Sequence, residues 1–113
     1  SSAASDVYKR QHEICVGEQF EDITAPDFYA CMNLHPCQCV LKIKPREKIR
    51  VCYLISLMKE QLPEQDKDKW KEAILKHLDI DEDYYKSKYR EPVSDLPSIP
   101  NQKFAKEMDG IFR

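Results

Sequence analysis

The side chains with the most chemical content in this sequence are cations. Lys42, Lys44, Arg46, Lys48 and Arg50 alternate along residues 40–60, where Lys59 joins them and only Glu47 and Glu60 oppose them, a local charge of +4. A second set, Tyr84, Lys86, Lys88 and Arg90, places an aromatic ring among cations. Cations at this density neutralise phosphates, and aromatic faces stack on bases, so both stretches are candidate nucleic-acid contacts. Residues 12–33 carry Glu13, Glu18, Glu21, Asp22 and Asp27 with no Lys or Arg. The basic stretch therefore also has an acidic segment of its own chain to face.

Other chemistries find little to work with. Cys31, Cys37 and Cys39, with His35 between them, form one tight Cys-x-Cys and one distant cysteine. Structural zinc wants four ligands in two closely spaced pairs, so no metal site is expected. Gly17 and Gly110 are the only glycines, which leaves no glycine-rich phosphate loop. His12, His35 and His77 have no nucleophile motif around them, and His77 falls on an apolar stripe, as packed core histidines do. No catalytic residues and no cofactor are expected. Five cysteines at irregular spacing (Cys15 and Cys52 complete the set) argue against a secreted disulfide framework and for the cytoplasm.

Residues 1–11, SSAASDVYKRQ, match codon for codon the translation of a transposase-based sequencing adapter and are set aside as non-native. The native chain is then expected to begin upstream of His12, because no initiator Met precedes it. Setting aside Lys9, Arg10 and Asp6 moves the formal net charge from −2 to −3. The remainder fits one small domain, with too many apolar residues for global disorder and no run long enough to cross a membrane.

The elements that must position these side chains follow from periodicity. Residues 49–58 are apolar except for Arg50 and Ser56, and Val51, Leu54, Ile55, Met58 and Leu62 form a helical stripe that Ile49, Cys52 and Tyr53 widen. A helix so apolar is central, with Pro45 in its first turn and an end near Leu62. A second helix over 66–78 has the stripe Trp70, Ala73, Ile74, His77 and Leu78, with Lys67, Lys69, Lys71, Glu72 and Lys76 toward water. Asp79-Ile80-Asp81 makes a turn, and the Asp81 carboxylate is the expected cap of a third helix over 82–90. Upstream, a short helix over 27–33 and an extended stretch over 39–45 are expected. Downstream, 92–100 reads as a proline-rich linker, and Asn101 as the cap of a helix over 102–112.

Residues 70–90 resemble a bacterial helix-turn-helix. Ile74, Leu78 and Ile80 would be its internal core, and Tyr84, Lys86, Lys88 and Arg90 would be free for bases or phosphates. Asp79 stands where such turns often carry glycine, and Asp81, Glu82 and Asp83 put negative charge at the end that approaches DNA.

The expectation is therefore a mainly α fold, a small three- to four-helix domain over 12–91 with a helix-turn-helix-like unit and a short extended N-terminal segment. A linker over 92–100 and a C-terminal helix over 101–113 complete it. Function is expected to be non-enzymatic binding. Duplex DNA would meet Lys42, Lys44, Arg46, Lys48, Arg50, Tyr84, Lys86, Lys88 and Arg90. The alternative partner is another protein, docked on Phe104, Met108, Ile111 and Phe112, or the chain is the C-terminal fragment of a larger protein.

Overall fold

The computed structural model describes residues 13, 17–33, 41–94 and 98–112, the side chain of residue 112 excepted. The expected mainly α fold is found: among the described residues there are five α-helices and one 3-10 turn, and no strand. We name them α1 (Ala25–Met32), α2 (Lys48–Glu60), α3 (Glu64–His77), α4 (Glu82–Lys88), the 3-10 turn Glu91–Val93 and α5 (Ile99–Phe112).

The central helix is α2. Val51, Cys52, Tyr53, Leu54, Ile55, Leu57 and Met58 are all buried, and α3, α4, the 3-10 turn and α5 each pack against it. Pro45 does not open it. Glu47 donates its backbone N–H to the Lys44 carbonyl at 3.2 Å, and Arg46 has φ +68°. Proline second and positive φ third is the pattern of a type II turn, so residues 44–47 turn the chain before the helix begins.

The expected extended stretch has a partner that sequence patterning did not reveal. Phe20 and Ile43 form an isolated antiparallel bridge, framed by Glu21 N–H to the Lys42 carbonyl and Lys44 N–H to the Gln19 carbonyl, both at 2.9 Å. That bridge lays the acidic segment beside the basic one. Phe20 then packs edge-on against Phe28 of α1, with ring centroids 5.7 Å apart, and both rings are fully buried. Helix α1 starts two residues earlier than expected because the Thr24 hydroxyl accepts the Asp27 N–H at 3.3 Å. Trp70 of α3 holds its other end by donating Nε1–H to the Met32 carbonyl at 2.8 Å.

The buried face of α3 is Lys71, Ile74, Leu75 and Leu78, rotated from the expected stripe. Lys71, expected in water, is only 8% exposed. Its stem lies against the chain, its ammonium pairs with Glu82 at 3.0 Å and sits 5.8 Å from the Tyr85 ring centroid, and a satisfied head makes such burial tolerable. The turn after α3 is a Schellman closure: Ile80 N–H meets the Leu75 carbonyl at 2.9 Å, Asp79 N–H meets the Lys76 carbonyl at 3.2 Å, and Asp79 takes φ +57°. Asp81 precedes α4 in the extended conformation but makes no side-chain cap bond.

The expected linker is partly structured. Pro92 is fully buried and the 3-10 turn packs on α2 and α5. Asn101 is inside α5, not at its start; its N–H donates to the Ser98 hydroxyl at 3.3 Å. The α5 helix folds back on α2, where Tyr53 donates its hydroxyl proton to Asp109 at 3.1 Å and sits edge-on to Phe104.

Two predictions follow from these helix ends and interiors. Asp79→Gly removes both an L-residue from the left-handed region and a carboxylate from a helix C-terminus, so it should raise stability by about 1 kcal/mol. Gly110→Ala should add about 0.5–1 kcal/mol, because a Cβ there meets nothing within 4 Å. Urea midpoints at constant m-value read both.

The Lys71–Glu82 pair gives a pH signature. The hydrogen bond from Lys71, reinforced by its charge, holds the Glu82 carboxyl below its ordinary value. A depressed folded-state pKa contributes stability that is present above the unfolded pKa and lost as pH falls through the folded one. Glu82→Gln should therefore be less stable than the parent near neutral pH, with the gap closing in urea titrations as pH drops below about 4.

Candidate functional site

The two basic stretches meet at one point. Lys48, in the first turn of α2, places its ammonium 5.4 Å from the centroid of the Tyr84 ring on α4, a cation–π contact worth about 0.5–1 kcal/mol at an exposed site. Tyr84 is half-buried, and that burial pushes its phenol above the ordinary value. Lys88 stands one helical turn after Tyr84 and therefore shares its side of α4. Beneath them is Cys52, whose thiol burial pushes up to about 11 even though the nearby Lys48 charge pulls the other way. Such a thiol is protonated and inert at neutral pH.

The remaining cations divide by what they already hold. Lys44 donates to the Gly17 carbonyl at 2.6 Å, fixing the turn in which Gly17 has φ +90°. Arg50 pairs with Glu47, which also accepts a hydrogen bond from Gln19 at 3.0 Å. Lys88 is 3.7 Å from Glu91, with both groups well exposed. Lys42, Arg46, Lys48, Lys86 and Arg90 are exposed. Lys86, two positions from Tyr84, points about 200° around the helix from it and does not share its side. The structure thus brings Lys48, Tyr84 and Lys88 toward one edge, while Lys44 and Arg50 are engaged within the chain.

The structure does not confirm the helix-turn-helix-like unit. Ile74, Leu78 and Ile80 are buried as expected, but α3 and α4 each pack on α2 more extensively than on each other. Helix α4 is seven residues long. Tyr85 is buried and stacks on Tyr89 at 5.1 Å, turning the aromatic face of α4 inward. Asp81, Glu82 and Asp83 stand exposed at its N-terminal end, where a recognition helix would meet bases.

The expected protein-docking surface on the C-terminal helix is corrected by burial. Phe104, Met108 and Ile111 are core residues at 4%, 0% and 8% exposure, because α5 folds back and turns its apolar stripe onto α2. The side chain of Phe112 lies outside the described residues. The surface instead exposes Val93, on the 3-10 turn, and Ile99, at the start of α5, at 52% and 79%. Neither was singled out from sequence, since both sit among prolines rather than on a periodic stripe.

His35, Cys37 and Cys39 also lie outside the described residues. Cys31 and Cys52 are buried, and no cluster of three metal-ligating side chains occurs among the described residues. No helix there is long and apolar enough to cross a membrane. No family model, no curated protein and no solved structure matches the chain.

Proposed function

We propose that this protein is a non-enzymatic binding module for a phosphate-bearing polyanion, duplex nucleic acid being the first to try, which it holds by the backbone without reading bases. The observation that carries this reading is the Lys48–Tyr84 contact, which brings the cations of two separate stretches to one edge. The start of α2 adds to it. Glu47 gives no side-chain cap there and no acidic residue occupies the first turn, so the positive end of the helix dipole lies beside Arg46 and Lys48. The acidic N-terminus of α4 argues for phosphate contact rather than entry of a helix into a groove. The buried free thiol of Cys52 fits a reducing cytoplasm.

With Arg46, Lys48, Lys88 and Arg90 as phosphate contacts, the affinity of the full chain for random duplex DNA should fall with salt at a log–log slope of about −3.5. Arg46→Ala/Lys48→Ala should flatten that slope by about 2, while Lys86→Ala should change it least. No binding at low salt, or a double variant with the parent slope, would remove the reading.

The exposure of Val93 and Ile99 favours a second reading, a protein-interaction module whose contact is the edge between the 3-10 turn and α5. In that case Val93→Ser/Ile99→Ser should abolish self-association or partner capture with the urea midpoint unchanged, and the lysine and arginine variants should behave as the parent.

A further inference from the structure

The three carboxylates that precede Tyr84 have no role in the polyanion reading. Asp81, Glu82 and Asp83 are exposed, and of the three only Glu82 holds a cation among the described residues, the Lys71 ammonium at 3.0 Å. They would repel an anion arriving at that end of α4. The residue they lead into is the ring on which the two basic stretches meet.

Tyr84 has charge on every side of it. The Lys48 ammonium lies 5.4 Å from its ring centroid, and Lys88, one helical turn on, is 3.7 Å from Glu91. Burial first, then Cys52 and Glu91, hold its phenol above the ordinary value, which puts Glu91 within electrostatic reach of the hydroxyl. Tyr84 is also the third residue of a seven-residue helix. In that first turn backbone N–H groups have no intrahelical partner, and Asp81 supplies no side-chain cap. A turn held so lightly opens at small cost. Tyr85 is buried and stacked on Tyr89, so Tyr84 is the ring of α4 that such opening releases first.

We infer that Tyr84 is a phosphorylation site for a tyrosine kinase whose cationic groove takes the Asp81, Glu82 and Asp83 carboxylates, and that the phosphate closes the basic edge to polyanions. The kinase moves the γ-phosphoryl group of ATP to Tyr84 Oη: a phosphorus–oxygen bond forms there as the bond to the β,γ-bridging oxygen breaks. ADP leaves, and the phenolic proton passes to the kinase's carboxylate base. The product carries a charge of about −1.5 to −2 within reach of the flexible Lys48 and Lys88 stems. It repels Glu91, which releases Lys88, and both ammoniums then hold a phosphate of their own chain. The site itself stands apart from the polyanion reading; the closing of the edge rests on it.

The test is incubation of the full chain with ATP, magnesium and a tyrosine kinase that prefers carboxylates before its tyrosine, followed by fragment-ion mapping. Tyr84 should take up the phosphate. Asp81→Asn/Asp83→Asn, which breaks no ion pair, should slow uptake by about tenfold with an unchanged circular dichroism spectrum. An unmodified Tyr84, phosphate on Tyr29 in its place (39% exposed), or a double variant modified at the parent rate would each overturn the site. The phosphorylated chain should then bind random duplex DNA with a log–log salt slope shallower by about 2, and a tyrosine phosphatase should restore the parent slope. An unchanged slope at full phosphorylation overturns the closing of the edge. If the unmodified chain binds no DNA, that half falls with the polyanion reading, while the mapping still decides the site.

Discussion

The whole molecule depends on covering α2. Residues 51–55 are buried without a break, and at about 100° per residue five consecutive buried side chains point in every direction around the axis. No single neighbour can cover such a helix. It needs α3, α4, the 3-10 turn and α5 around it, and those are the elements found in contact with it. The dependence runs both ways. Helices as short as α1 and α4 are unstable alone, so their existence follows from the apolar surface they cover, as Phe28 of α1, packed edge-to-face on Phe20 in the core, illustrates.

Where the chain leaves its helices it accepts local conflict. Arg46 and Asp79 take positive φ without being glycine, a conformation that costs L-residues about 1–2 kcal/mol, less for aspartate. Helix α2 starts with Lys48 and Arg50 in its first turn and an uncapped Glu47, the wrong sign for the positive end of a helix dipole. The Tyr84 ring and the Glu47 carboxylate offset those two cations within the fold. Arg46 has no such offset among the described residues. It is exposed, held at a positive φ and set beside the start of α2, a local conflict that the fold does not offset.

How much of this was legible depended on whether a residue's fate is set locally. The apolar run of α2, the Asp79–Asp81 turn and the core positions of Ile74, Leu78 and Ile80 are read from spacing, because periodicity reports burial directly. The pairing of Phe20 with Ile43 was not, since one bridge leaves no alternating pattern to detect. Lys71 was placed in water because residue type outweighed position; only the arrival of Glu82 and Tyr85, set by the turn between them, makes its burial acceptable. The reverse error fell on Phe104, Met108 and Ile111. Their stripe was correctly seen, but a stripe says that a face is covered and not by what, and the proline-rich stretch before it suggested separation where the buried Pro92 provides attachment.

The same limit governs the cations. In sequence, residues 42–50 read as one alternating basic strip, yet the turn at Pro45–Arg46 and the onset of α2 send its members to different places. Arg50 faces Glu47 and the Gln19 side, Lys44 closes on Gly17, and Lys48 crosses to Tyr84. One turn of helix thus separates cations engaged within the chain from a basic edge that sequence had merged into a single charge run. A cation already matched inside the chain contributes little to an outside phosphate, because its field is largely cancelled at contact distance. Under the proposed polyanion reading, the effective charge presented is therefore set by exposed cations that hold no carboxylate, such as Arg46, Lys48 and Arg90, and not by the count of basic residues. That small number then gives contacts that are weak singly and strongly salt-dependent together.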